Sequence, residues 1–219
     1  MRTRLVAVLI AVTLALTGCA AAGPSSPATT PSMAASRATP TPTPAPTPAP
    51  LLTIGVEGLQ LVTGGDTRTL AFDDPEAILA FIEDATGVPR AGEDFEDPWG
   101  NGDVWGTLFT WDDIRVSVLK DGPATVTLSG STVGDIPVTT ASGIAVGDSR
   151  DAVVAAGGWD EWDADGDGRA DHLGIDGQDV AGTQSLTRPG SVGRMFVSVS
   201  LDGDIVTGLQ SPSNDFSDL

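Results

Sequence analysis

Three reactive residue types are nearly missing from this chain: its 219 residues include one cysteine, one histidine and no tyrosine. With a single thiol, Cys19, no disulfide can close within the chain. The sequence beyond it has no thiol chemistry at all. One histidine, His172, cannot build a zinc site without thiol partners. A Ser-His-Asp hydrolase would depend on His172, yet no Gly-x-Ser-x-Gly turn occurs. His172 therefore reads as a packed or solvated strand residue. Positive charge is scarce too: 11 Lys and Arg stand against 30 Asp and Glu. Such a balance excludes nucleic acid as a partner and disfavours docking on anionic lipid heads. Long apolar runs are absent as well. Leu5–Leu16 is about a dozen residues, short of the ~20 that span a bilayer.

That run nevertheless has a clear meaning. Arg2 and Arg4 precede it, and Leu16-Thr17-Gly18-Cys19 follows it. A positive segment, a short apolar core and small residues make an export signal. The four residues ending at Cys19 resemble the lipobox of bacterial lipoproteins. The resemblance implies cleavage after residue 18, a diacylglyceryl group on the Cys19 sulfur with palmitate-type acyl chains, and a cell-membrane location on the extracytoplasmic face. The alternative is an ordinary secretory signal that happens to contain a cysteine. Two or three acyl chains would anchor the chain firmly, at ~0.8 kcal/mol per buried methylene.

Residues 19–50 read as a spacer. They are nearly all Ala, Pro, Ser and Thr, and proline alternates strictly from Thr39 to Pro50. Proline fixes its own φ and restricts the residue before it, so this stretch should be extended polyproline II. At ~3.1 Å per residue it reaches roughly 37 Å. It is expected to lift a folded domain off the membrane and through part of the cell wall, and its threonines are open to glycosylation. The Ala-, Gly- and Pro-rich usage is similar to that of high-GC actinobacteria.

Residues 51–219 carry all 30 acidic side chains and eight basic ones, a formal charge of −22. The expected fold is α+β: mainly antiparallel sheet with two short helices, arranged as one domain or as two tandem helix-plus-sheet units, 51–137 and 138–219. Leu52–Val56 and Leu59–Val62 read as a first hairpin and Thr69–Phe72 as a third strand. A helix follows, capped by Asp73 or Asp74, with Pro75 in its first turn. Ile78, Leu79 and Ile82 form its apolar stripe, and Gly87 ends it. Arg90–Asp103 reads as a polar loop. Trp105–Trp111, Ile114–Leu119 and Thr125–Leu128 alternate as strands, with Asp112-Asp113 as a turn. Later come a short helix from Arg150 to Ala156, capped by Asp148 or Ser149, and strands at Ala170–Ile175, Met195–Leu201 and Ile205–Leu209. Asp202-Gly203 marks a hairpin turn.

The segment Gly143–Gly157 resembles the helix-opening segment of small helix-plus-sheet repeats in outer-membrane assembly lipoproteins and beta-lactamase inhibitor proteins. It implies short helices packed on an antiparallel sheet and carries no function.

One motif carries chemistry. In Asp163-Ala164-Asp165-Gly166-Asp167-Gly168-Arg169-Ala170-Asp171, carboxylates fall at relative positions 1, 3, 5 and 9. Calcium takes six to eight oxygens, and the Arg169 carbonyl at position 7 would add one. Gly168 permits the sharp turn. The spacing resembles the calcium loops of EF-hands, dockerins, thrombospondin type 3 repeats and FG-GAP repeats. Position 12, a bidentate Glu in EF-hands, is Gly174 here, and no incoming helix precedes the loop. The short extracellular type, closed by Asp171, is the better match. Calcium is thus the expected cofactor, in a structural role. The plain alternative is an acidic surface turn.

Other candidates are weaker. Glu93–Asp97 is a second acidic cluster and reads as a solvated loop. The tryptophans at 99, 105, 111, 159 and 162 read mainly as core bulk, with sugar stacking as the alternative. Nothing singles out a carboxylate pair for glycoside hydrolysis. Three functions follow as expectations. The first is a non-enzymatic, membrane-anchored binding or assembly module. The second is a carbohydrate- or cell-wall-binding module using Trp99. The third is an inhibitor-like regulator of a secreted enzyme. The sequence leaves open whether the partner is a protein or a glycan.

Overall fold

The computed structural model describes residues 48–97, 102–120 and 122–217, all within the compact unit Ala45–Leu219. Cys19, the spacer up to residue 47 and Trp99 lie outside the described residues. The chain opens with three antiparallel strands, β1 (Leu51–Ile54), β2 (Gly58–Thr63) and β3 (Asp66–Ala71). Helix α1 (Pro75–Thr86) follows. Its ends are set locally. Asp74 accepts from the Ala77 N–H, Pro75 occupies the first turn, and Gly87 closes the helix in the left-handed conformation. Ile78, Leu79, Phe81 and Ile82 are its buried side chains.

A meander of four antiparallel strands comes next: β4 (Gly92–Glu96), β5 (Val104–Trp111), β6 (Ile114–Leu119) and β7 (Ala124–Leu128). After β8 (Thr132–Val133) and β9 (Ile136–Thr140) comes α2 (Arg150–Ala155), capped by Ser149. A second meander then runs through β10 (Trp159–Trp162), β11 (His172–Asp179), β12 (Arg194–Asp202) and β13 (Ile205–Asn214). A helix followed by four antiparallel strands thus occurs twice among the described residues. The last strands of the two meanders, β7 and β13, pair antiparallel. The result is one eight-stranded sheet in the order β10-β11-β12-β13-β7-β6-β5-β4. A second, five-stranded sheet has the order β3-β2-β1-β9-β8, with β1 and β9 parallel.

The class is therefore α+β, mostly antiparallel, with no closed barrel and with one of its two helices short. A single hydrophobic cluster joins both sheets and both helices. It takes Leu52 and Leu59 from one sheet, Val126 and Val199 from the other, Ile82 from α1 and Val153 from α2. Each such large side chain contributes roughly 1.5–3 kcal/mol by leaving water.

Several local expectations need correction. Gly92–Glu96 is not loop but strand β4, paired with β5 from Gly92↔Phe109 to Glu96↔Val104. β10 was not expected as a strand, nor were β8 and β9. β11 starts at His172 rather than Ala170, and β13 continues past Leu209 to Asn214. The β12–β13 turn is formed by Gly203 and Asp204, one residue later than expected, because Asp202 still pairs with Ile205.

One contact makes a clear stability prediction. Gly134, between β8 and β9, has φ +57 and lies against the last turn of α1. A Cβ there would stand 2.1 Å from the Ala85 carbonyl oxygen, which is backbone and cannot step aside. Gly134→Ala is expected to cost about 2–4 kcal/mol, from left-handed strain plus overpacking. Urea denaturation checks this.

Candidate metal centre

Strand β10 enters the Asp-rich segment and β11 leaves it, so the loop connects two neighbouring antiparallel strands. Its two ends are pinned. The Asp171 N–H donates to the Trp162 carbonyl at 2.9 Å, and the Asp171 carbonyl accepts from the Leu201 N–H at 2.9 Å. The first bond closes the hairpin, and the second ties it to β12. Within those ends the chain must reverse tightly, and it does so at two left-handed glycines, Gly166 (φ 76) and Gly168 (φ 90).

The carboxylates organise the interior. Asp163 accepts from Gly166 N–H and Gly168 N–H, each at 2.8 Å, one on each oxygen. Asp165 accepts from Asp167 N–H at 3.0 Å, and Asp171 accepts from Ala164 N–H at 2.8 Å. These side-chain-to-backbone bonds are the Asx pattern that short acidic residues favour in turns. They point the carboxylates inward. One ligand oxygen each from Asp163, Asp165 and Asp171 lies within 4.8 Å of the others, a cluster that could hold a metal ion. Asp163 and Asp171 are half-buried and Asp165 is exposed.

The fourth expected carboxylate stands differently. Asp167 is outside the trio, and its Oδ1 accepts from the Arg169 N–H at 2.8 Å. Arg169 sends its guanidinium to Asp204 in the β12–β13 turn. Three of the four expected carboxylates thus come together, with Asp167 engaged beside them.

Sequence reasoning missed the residue that braces this loop from below. Arg150, the first residue of α2, is largely buried, and its Nη2 donates to the Ala170 carbonyl at 2.5 Å. The same guanidinium lies 3.7 Å from Asp204 and 3.8 Å from Asp160. Arg150 therefore connects α2, β10, the loop and the β12–β13 turn. The Gly143–Ser149 segment in front of it gave only a helix signal, since the partners are 10–54 residues away in sequence.

The other candidates scatter. His172 lies on β11 with Nδ1 3.2 Å from the Ser200 hydroxyl, next to the loop but outside the trio. Of the tryptophans, Trp111 is core, with its Nε1–H donating to the Val88 carbonyl at 3.0 Å. Trp159 is half-buried near two cations: the guanidinium carbons of Arg188 and Arg194 lie 5.6 and 5.4 Å from its ring centre. Trp162 is 61% exposed and so is not core bulk.

A buried carboxylate elsewhere was not legible at all. The Asp215 side chain is fully buried and accepts three bonds of 2.6 Å, from Ser185 Oγ, Arg188 Nη2 and the Arg194 N–H. Burial alone would raise its pKa, but these three donors and the Arg188 charge outweigh it, and the carboxyl sits below its ordinary value.

No protein-family model, no curated protein and no solved structure matches this chain. Its function must be read from its own residues.

Proposed function

We propose that this chain is a lipid-anchored, extracytoplasmic binding module that performs no catalysis and whose β10–β11 loop holds a structural calcium ion. The observation that carries the reading is the trio of Asp163, Asp165 and Asp171, with oxygens converging within 4.8 Å. Hard oxygen donors without nitrogen or sulfur suit calcium or magnesium rather than zinc. A carboxylate cluster open to water on the exposed Asp165 side leaves room for water ligands, which suits calcium's flexible six-to-eight coordination better than magnesium's strict octahedron. The loop would be the site of a weak extracellular-type ion, on the order of 10⁻⁴ to 10⁻³ M.

The location rests on the N-terminal sequence. A lipobox at Cys19 and a Pro-Thr spacer would present the acidic domain outside the membrane, where calcium is abundant. Cells fed labelled palmitate should incorporate it into the wild-type chain and not into Cys19→Ala, which should leave the membrane fraction. Label retained in Cys19→Ala would refute the anchor. Calcium titration, treated in the Discussion, tests the loop.

A further inference from the structure

The eight-stranded sheet has two faces, and the core uses one. Along β7, Ala124, Val126 and Leu128 are buried while Thr125 and Thr127 are half-exposed; β12 buries Val197 and Val199 and leaves Ser198 and Ser200 half-exposed. Both helices send their buried residues into the core cluster, so neither covers the second face. That face carries two adjoining depressions. One, of about 550 Å³, lies over β4–β7; the other, of about 440 Å³, lies over β10–β13. They share Gln210, Asn214 and Ser217, so together they form one trough across the central strand β13.

The trough departs from the rest of the domain in charge. The domain carries 38 charged residues, yet among the described lining residues only Arg115 and Glu161 are charged. The rest of the lining is hydroxyl and amide groups set among apolar side chains: Phe95, Trp105 and Phe216 with Leu108, Leu119 and Met195 at one end, and exposed Trp162 at the other, where Phe196 lies buried in the floor.

We infer that this trough binds a neutral carbohydrate chain. Sugars present C–H faces that pack on aromatic rings and hydroxyls that pair with Ser, Thr, Asn and Gln. They bring no charge, so a site for them needs no counter-charge. Aromatic walls with a few placed polar groups are the usual build of such sites. A protein partner is the poorer fit: of the residue types that protein hot spots favour, the trough offers Trp105 and Trp162 but a single Arg, and the chain has no Tyr. A basic partner would meet its counter-charges on the acidic loops instead. The extent of the trough, over both halves of the sheet, suits a chain of several sugars. The inference rests on the reading of the domain as a binding module and is independent of the metal.

The test uses the full chain. Neutral oligosaccharides of glucose, mannose, xylose and N-acetylglucosamine are titrated in, and tryptophan fluorescence and calorimetry are recorded. At least one series should bind. Phe95→Ala on edge strand β4 and Gln210→Ala on β13 should each weaken it about tenfold. Among the described residues the Gln210 side chain makes only bonds of 3.4–3.5 Å, so its truncation should leave the melting temperature unchanged. Leu186→Ala, at an exposed side chain outside the trough, should bind as wild type. No binding by any of the four series overturns the inference, as does binding unchanged in both trough variants. Phe95-dependent capture of a protein without any glycan binding overturns it in favour of a protein partner. Palmitate labelling and calcium heats are unaffected by any of these results, so the inference can fail without the proposed function failing.

Discussion

Asp215→Ala is expected to lower the melting temperature by about 6–12 °C, the largest effect of any single substitution of a charged residue here. Truncating one partner of a buried, hydrogen-bonded charge pair costs about 3 kcal/mol, and a domain of this size moves roughly 2–4 °C per kcal/mol. Asp215 is the place where the C-terminal end of the fold is tied down. Its side chain holds Ser185, Arg188 and the Arg194 N–H, while its own N–H donates to the Arg194 carbonyl at 3.1 Å and its carbonyl accepts from Leu186 N–H at 2.6 Å. Removing the carboxylate leaves the Arg188 guanidinium, already with one unpaired buried nitrogen, facing a cavity.

The same group sets an acid limb. In the fold its carboxyl lies below its ordinary value near 3.8. The ionised form therefore stabilises the fold, in full above that ordinary value, and the contribution is lost as pH falls from there through the lowered folded value. Wild type should lose stability progressively below about pH 4. Asp215→Asn has nothing to protonate and should lose less over the same range. Denaturant titrations at stepped pH measure the difference, and parallel slopes for the two chains would contradict it.

The second large effect is expected from calcium. An ion bound by the folded state alone stabilises it by about 2.7 kcal/mol when its free concentration is a hundredfold above Kd. For a site of about 10⁻⁴ M that means about 10 mM calcium, and the melting temperature should rise by about 5–11 °C. Magnesium should do less, since it gives up its water shell reluctantly. Asp165→Ala is the informative variant. Asp165 is exposed and holds just the Asp167 N–H, so its loss should cost the ion-free fold no more than ~1 kcal/mol. It should nevertheless remove most of the calcium-dependent rise. An equal rise in Asp165→Ala and wild type would place any bound calcium elsewhere.

Much of this architecture can be read from the chain, and the exceptions have a common cause. Helix α1 is legible because its cap, first-turn proline, apolar stripe and closing glycine are contiguous. The β5–β6 hairpin is legible because its alternation is strong and its turn is Asp112-Asp113. β4 and β10 are not, and these are the two outer strands of the eight-stranded sheet. An edge strand needs little apolar pattern, and charge on it discourages pairing with other chains. Gly92–Glu96 carries three carboxylates and one Phe, and Trp159–Trp162 carries two carboxylates between its tryptophans. Such sequences look like loops until a neighbour supplies the hydrogen bonds. The end of β13 hides for a related reason: Ser211 and Ser213 are buried although polar, with the Ser211 hydroxyl donating to the Gly55 carbonyl at 2.8 Å.

The sites follow the same logic. The Asp163–Asp171 loop is visible in the sequence because one continuous stretch supplies its donors and its turns. What the spacing did not reveal is that Asp167 stays out of the trio while Arg150, on α2, braces the loop's base. The Asp215 cluster and the neutral trough are assembled from distant strands and leave no local signature. Trp162 belongs to the trough, not to the core, because it sits at the end of an edge strand where one face has no cover.

Calorimetric titration of calcium into the ion-free chain shows whether the Asp163–Asp171 loop holds an ion. Saturable heat from one site is expected, with Kd on the order of 10⁻⁴ to 10⁻³ M, greatly reduced in Asp165→Ala. Absence of heat, together with an unchanged melting temperature at millimolar calcium, would contradict it.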